Sequence, residues 1–302
     1  MATAQFGRVI TAMITPFTED GAVDYESAVA LAKHLVAHGS EGLLVCGTTG
    51  EGATMTAEEK LKLYTLIVDA VGKRGEGKKV PVMGNIGTIS TADTIAFGNK
   101  AKETGIDCAL VIVPFYVKPN QEGMYQHFKA VAKGVDLPLV LYNVPGRTGV
   151  SIQPETIKRI VDECPNVVGI KDATGNWDQV TKEKALLPED FMIYSGDDAF
   201  TLPVLLAGGV GIISVSAHVI GDDMLAMVDA FEKGDLAKAR ELHLKMYEIN
   251  KGMFFTASPT PVKTATNLVG QPGGHFRLPM VEPTEAEKAK VRQMLENYGG
   301  LL

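Results

Sequence analysis

Cysteine is scarce in this chain: Cys46, Cys108 and Cys164 are the three among 302 residues. Their number is odd and their spacing wide, which argues against a disulfide framework and leaves no CxxC motif. Long apolar runs are missing too. The longest, residues 202–213, is broken by Pro203 and by Gly208, Gly209 and Gly211, whereas a membrane-spanning helix needs about 20 apolar residues. Positive charge is in deficit, with 29 Lys and Arg against 36 Asp and Glu and a net charge of −7. Nucleic acid and anionic lipid both call for basic patches, so neither is an expected partner. The six histidines, His34, His38, His127, His218, His243 and His275, form no HExxH motif and no His–Cys cluster. The acidic pairs Asp197-Asp198 and Asp222-Asp223 stand before helical stretches and are expected to cap them, so no metal site is expected. Residues 1–10 carry no apolar signal core. The expectation is a soluble protein of a reducing compartment, the cytoplasm.

What remains is ordinary globular composition, 45% apolar and 22% charged, at a length that suits either two domains or one α/β barrel. Short β-branched runs recur at 9–15, 42–46, 80–84, 108–113, 137–142, 167–171, 191–195 and 211–215. They are continuously apolar rather than alternating, which predicts strands buried on both faces. Amphipathic stretches at 24–38, 57–71 and 91–103 lie between them, and Thr56-Ala57-Glu58-Glu59 reads as a capping box. Eight strands alternating with helices predict a parallel sheet, and eight closes a (β/α)8 TIM barrel. The strand signal stops after Val215. Residues 222–233 can supply the eighth barrel helix, and 235–250, 261–269 and 284–298 read as three more, the last capped by Thr284. The expected division is a catalytic barrel over 1–234 and a C-terminal helical appendage over 235–302 that packs against it.

Polar residues follow the strands where a barrel gathers its chemistry, at the C-terminal mouth. Lys171 ends the sixth run and Tyr142 the fifth, 29 positions apart, about one βα unit, so neighbouring strands would present them side by side. Lys171 is either a strand-end lysine reaching to solvent or a Schiff-base lysine whose pKa is lowered by an apolar interior. Tyr142 is either a buried aromatic with one hydrogen bond or a proton shuttle beside such a lysine. The loop Gly47-Thr48-Thr49-Gly50-Glu51-Gly52 matches neither phosphate-binding glycine motif, and Glu51 would repel phosphate. It is either a plain turn or a cradle for a small carboxylate. Arg147, in the Pro145-Gly146-Arg147 turn, could grip a second carboxylate with two parallel bonds.

Taken together, the segments Gly47-Thr48-Thr49-Gly50-Glu51, Pro114-Phe115-Tyr116, Tyr142-Asn143-Val144-Pro145-Gly146-Arg147-Thr148-Gly149, Gly169-Ile170-Lys171-Asp172-Ala173-Thr174-Gly175, Ser195-Gly196-Asp197-Asp198 and Arg277-Leu278-Pro279 resemble the dihydrodipicolinate synthase family within the class I pyruvate aldolases. The likeness runs along nearly the whole chain. It implies a lyase of lysine and diaminopimelate synthesis that condenses pyruvate with L-aspartate-4-semialdehyde and needs no cofactor and no metal. By the same resemblance Lys171 forms the imine, Tyr142 donates and accepts the proton, and Thr48 links it to Tyr116 in a relay. Thr49 holds the pyruvate carboxylate, with the Ile213 backbone beside it, and Arg147 receives the semialdehyde. The family is typically a homotetramer, with a dimer also possible, in which the tyrosine at 116 enters a neighbour's site. Sister aldolases, N-acetylneuraminate lyase and 2-keto-3-deoxy-sugar-acid aldolases, share the lysine, tyrosine and glycine loop; Arg147 favours the acidic acceptor. A non-catalytic sensing barrel would need a broken constellation, and this one is complete. By the same resemblance, members inhibited by lysine carry polar groups at the positions that match Ala57, Lys60, Ile89, Asp93 and Phe115 here. Weak or absent feedback by lysine is therefore expected.

Overall fold

The computed structural model describes residues 3–302 apart from Glu76; Met1 and Ala2, part of the start read above for a signal segment, lie outside the described residues. Eight strands, β1 (Val9–Ala12), β2 (Gly42–Val45), β3 (Val82–Asn85), β4 (Cys108–Ile112), β5 (Leu139–Asn143), β6 (Val167–Asp172), β7 (Met192–Ser195) and β8 (Gly211–Ser214), close in sequence order into one parallel barrel. This is the expected (β/α)8 TIM barrel with C-terminal helices. The strands are shorter than the apolar runs that announced them. Met13, Ile14 and Thr15, for example, stay buried after β1 has ended, so the apolar pattern outlasts the ladder.

Strand side chains alternate between two packed layers. Ile10, Leu44, Cys108, Leu110, Val140, Tyr142 and Ile213 fill the barrel interior. Val9, Leu43, Val45, Ala109, Val111, Leu139, Leu141 and Ile212 face the helices. Both faces are dry, which explains runs without polar alternation. One strand breaks the period. The pairing of β5 with β6 passes from Leu139↔Val167 to Val140↔Gly169, a bulge that leaves Val168 as an extra residue. Val167 faces the helix layer, and four residues on, an uninterrupted strand would turn Lys171 the same way. The bulge reverses that parity and pairs Lys171 with the interior-facing Tyr142.

Helix starts follow local chemistry. Thr56 and Glu59 form the expected capping box on helix Ala57–Ala70, and Thr284 and Glu287 form a second on Glu285–Tyr298. The expectation for the acidic pairs is corrected at three of four positions. Asp197 does cap, accepting from the Ala199 N–H at 2.9 Å. Asp198 is instead wholly buried and accepts from groups at the end of β8. Asp222 and Asp223 lie inside the eighth barrel helix, which runs over Ala217–Glu232 through a kink at Ile220 and so begins earlier than expected. Its first turn hides in the sequence because Ala217, His218, Ile220 and Gly221 are all buried and show no amphipathic contrast. Asp222 meets His38 at 3.0 Å, and Asp223 pairs with Lys245 at 2.6 Å.

The last three helices, Leu236–Gly252, Thr260–Leu268 and Glu285–Tyr298, share the barrel's outer core: Met246, Ile249, Val262, Val291 and Leu295 belong to the same buried cluster as Val9 and Leu43. A buried ion pair joins the two regions. The Lys263 Nζ donates to Glu51 Oε1 at 2.7 Å with both side chains essentially inaccessible, and the Arg277 N–H donates to the other Glu51 oxygen at 3.3 Å. Burial pushes the Lys263 amine down, and the Glu51 charge opposes that shift. Glu51 is thus neutralised in place, a role its position in a glycine loop does not announce. Lys263→Met should cost about 3–5 kcal/mol by stranding the Glu51 charge, read by denaturant unfolding. Adding Glu51→Gln should recover most of that loss. A second substitution that only worsens the first would contradict the pairing.

Candidate active site

The residues singled out at the strand ends gather at the C-terminal mouth. The pairing of β5 with β6 sets Tyr142 and Lys171 on adjacent rungs, and the Lys171 Nζ lies 4.7 Å from the centre of the Tyr142 ring. Both side chains are buried, Lys171 at 5% exposure and Tyr142 at 7%. Burial lowers the Lys171 amine to about 8; the Asp198 carboxylate works against that shift and Arg147 with it. Burial raises the Tyr142 phenol to about 12, opposed by the positive charge of Arg147 and a hydrogen bond with the Thr48 side chain. A neutral amine fraction on the order of a tenth at pH 7 therefore stands beside a phenol that keeps its proton. That pair can add to a ketone and move protons while water leaves.

The loop after β2 is tightly wound. Cys46 and Glu51 sit at φ 56° and 51°, in the left-handed region, and the Gly52 N–H donates back to the Gly47 carbonyl at 3.1 Å. A Cβ on Gly52 would stand 2.0 Å from the Cys46 carbonyl oxygen, so only glycine fits there. This winding buries Thr49 and leaves Thr48 half-exposed against Tyr142. A cavity of about 480 Å³ opens above, lined by Thr48, Asn85, Tyr142, Arg147, Lys60 and Phe115 among others. Arg147 reaches it from the short helix Pro145–Thr148 that follows β5. Ile213 is fully buried on β8 and belongs to the interior cluster that contains Tyr142.

The structure thus brings Lys171, Tyr142, Thr48 and Arg147 together, while Ile213 shares the interior cluster of Tyr142 and Thr49 is buried in the loop beside Thr48. It does not bring Tyr116 in. That ring is 86% exposed on backbone held at φ 66°, and Phe115 and Val117 beside it are exposed as well. Two groups escaped the sequence reading. Asp198 stands in a motif whose pattern predicts a cap, because nothing in Asp-Asp reports which of the two is buried. Asp172 follows the lysine but faces outward and shares a hydrogen bond with Glu183, and burial raises both carboxyls. Only the bulge in β6 tells which of Lys171 and Asp172 looks inward. Among the described residues no group of three or more His, Cys, Asp and Glu could hold a metal ion, and no helix is long and apolar enough to cross a membrane.

Comparison with known proteins agrees with this architecture. Residues 5–298 match the Dihydrodipicolinate synthetase family. The 4-hydroxy-tetrahydrodipicolinate synthase of Heliobacterium modesticaldum is 48% identical over 295 residues, covering 98% of this chain and 96% of that one. The enzyme of the same name from Desulforudis audaxviator is 47% identical over 293 residues, covering 97% and 98%. Among solved structures, the lysine-bound dihydrodipicolinate synthase of Cyanidioschyzon merolae superposes with a TM-score of 0.94 at 41% identity, over 98% of this chain and 99% of that one. The chloride-inhibited, pyruvate-complexed enzyme of Acinetobacter baumannii superposes with a TM-score of 0.92 at 35% identity, again over 98% and 99%. With a barrel, a lysine–tyrosine pair and matches along its whole length, the chain belongs to the dihydrodipicolinate synthetase family.

Proposed function

We propose that this chain condenses pyruvate with L-aspartate-4-semialdehyde to 4-hydroxy-tetrahydrodipicolinate, in diaminopimelate and lysine biosynthesis, through an imine on Lys171. The observation that carries the residue assignment is the pairing of the buried Lys171 with Tyr142 across β5 and β6. The neutral amine adds to the pyruvate ketone, water leaves, and the resulting iminium acidifies the pyruvate methyl. The enamine attacks the aldehyde, and the amine of the acceptor then closes the ring and expels Lys171. Tyr142 gives and takes the protons, linked to Thr48. Thr49 and the Ile213 backbone hold the pyruvate end of the site. Arg147, at the cavity wall one turn beyond β5, takes the acceptor carboxylate. No metal or organic cofactor enters this sequence of steps.

Tyr116 completes the relay from a second copy of the chain: an exposed ring on left-handed backbone, flanked by exposed Phe115 and Val117, suits insertion into a neighbour, in a tetramer or dimer. Cytoplasmic residence fits three buried free thiols. A sister sugar-acid aldolase is disfavoured by the guanidinium at 147. A coupled assay offering aspartate semialdehyde beside N-acetylmannosamine tests the choice, and turnover of the sugar alone would reverse it.

Three outcomes follow for the site. Borohydride-trapped pyruvate adduct should disappear in Lys171→Ala; in the intact enzyme its rate of formation should climb through a midpoint near pH 8 as the amine loses its proton. An undiminished adduct in the variant would remove Lys171 from the mechanism. Arg147→Ala should raise the KM for the semialdehyde by about ten- to hundredfold, the worth of a charge-assisted contact, and leave that for pyruvate nearly unchanged; equal effects would contradict the assignment. Lys60, half-buried on the cavity wall with its amine pushed down by desolvation, places a cation where an effector ammonium would sit. Millimolar lysine should accordingly inhibit the coupled rate weakly or not at all, and strong inhibition would reverse that reading.

A further inference from the structure

The loop that carries Thr48 and Thr49 is held from outside as well as from within. Glu51 is where the two holds meet. Its N–H donates to the Thr48 carbonyl at 3.0 Å, and its carbonyl accepts from the Thr54 N–H at 2.9 Å. Its side chain leaves the loop for the C-terminal region, where the Lys263 amine donates to Oε1 at 2.7 Å and the Arg277 N–H to Oε2 at 3.3 Å. Lys263 is boxed in by aromatic faces, its amine 4.5 Å from the centre of the Phe17 ring and 5.0 Å from that of Phe276. The Arg277 guanidinium lies 4.4 Å from the same Phe17 ring. It donates to Glu59 through Nη1 at 2.9 Å and Nη2 at 2.7 Å, and to the Thr54 carbonyl at 3.1 Å. The loop is therefore gripped at Glu51 and again where it enters the helix Ala57–Ala70. The same two C-terminal segments wall the cavity, with Ser258 and Pro259 just before the helix of Lys263 and Pro279 and Met280 just after Arg277.

We propose that Glu51 and Lys263 are positioning residues for the condensation: their buried pair, with Arg277 beside it, sets the loop so that Thr48 and Thr49 meet pyruvate, given that pyruvate forms its imine on Lys171. A buried ion pair adds little stability over apolar packing of the same volume, because both charges must be stripped of water. What it adds is direction, since amine and carboxylate must meet at one distance and one angle. Direction is what this loop needs. Glu51 is held at φ 51°, a conformation that persists only where the surroundings over-determine it. The loop also has little slack with which to absorb a shift. A Cβ on Gly50 would stand 2.8 Å from the Met13 carbonyl oxygen, and the Thr15 hydroxyl donates to the Gly50 carbonyl at 2.7 Å. A displacement of Glu51 therefore passes to Thr49, two residues away, and through its hydrogen bond to Thr48. Arg147 comes from the helix after β5 and stands outside this latch. The pair should accordingly govern the pyruvate end of the site and leave the acceptor end alone.

The competing role is a staple that only stabilises the fold. The double variant Lys263→Met with Glu51→Gln separates the two, because it strands no charge and recovers most of the stability but lacks the tether. Its KM for pyruvate should rise by about ten- to hundredfold, the scale of a small misplacement of binding groups. The borohydride-trapped adduct should form more slowly at a fixed pyruvate concentration, and the KM for the semialdehyde should stay nearly unchanged. Val291→Ala, a truncation in the buried core of the last helix, serves as the control. It should lower the melting temperature and leave both KM values in place. A wild-type pyruvate KM in the double variant, an equal rise for both substrates, or the same split in Val291→Ala would overturn the proposal. Should the double variant fail to fold, Glu51→Asp decides. Aspartate tolerates left-handed backbone and keeps the charge, but draws the carboxylate back from Lys263 by one methylene. The same split is expected there, and an unmoved pyruvate KM overturns the proposal. Peptide mapping of the trapped wild-type adduct guards the premise, since an adduct elsewhere than Lys171 refutes the underlying mechanism rather than the role of the pair.

Discussion

Removal of one lysine amine from water is the constraint on which the rest of this site depends. An exposed lysine is protonated at neutral pH and cannot add to a ketone. In the barrel the Lys171 amine falls to about 8 because closure of eight strands surrounds it with apolar side chains and aromatic rings. Desolvation must be strong enough to free the lone pair yet not so complete that a cationic intermediate becomes prohibitive. The surroundings of Lys171 meet the first demand with a mainly apolar interior that keeps the amine at about 8.

Delivering that amine to the interior takes a local irregularity. The extra residue in β6 reverses the direction of every side chain after it, so that Lys171 and Tyr142 share a rung while Asp172 and Asn143 share the next and face the helices. Bulges recur beside active sites because a one-residue insertion re-aims a side chain without disturbing the fold around it. The left-handed backbone at Cys46, Glu51 and Tyr116 belongs to the same economy. Backbone in sparsely populated regions gathers at the mouth, where geometry must serve chemistry, and the regular ladders beneath it hold it there.

Buried charge here is placed in pairs or among donors. Glu51 and Lys263 join the glycine loop to the C-terminal helices, Asp198 joins β7 to β8, and Asp172 meets Glu183 behind β6, where burial holds both carboxyls toward the neutral form. Each such group is costly to bury alone and gains its place through partners distant in the chain. The supporting wall of the site is therefore long-range, drawing on residues 212 positions apart in the case of Glu51 and Lys263.

Much of this was legible in the residues. Eight doubly apolar runs alternating with helices specify a parallel sheet covered on both faces, and eight is the number of strands that closes a barrel. The capping boxes at Thr56 and Thr284 announce helix starts because they are satisfied within four residues. Lys171, Tyr142, Thr48 and Arg147 stand out because strand ends in a barrel converge. Other features have no local cause. The parity of Lys171 depends on a bulge of which Gly169 inside β6 is the one local sign, and a glycine does not say which way the following side chains turn. The inward turn of Asp198, against the capping role of Asp197, follows from donors at 214–216 on another strand. The neutralisation of Glu51 needs a lysine from the helix Thr260–Leu268, the last but one of the described chain. The sequence by itself determined which elements form and in what order, since those choices rest on periodicity and short-range hydrogen bonds. Which side chains face inward, and which charges meet, only the tertiary structure decided, because both depend on strand register and on contacts between segments the chain holds far apart.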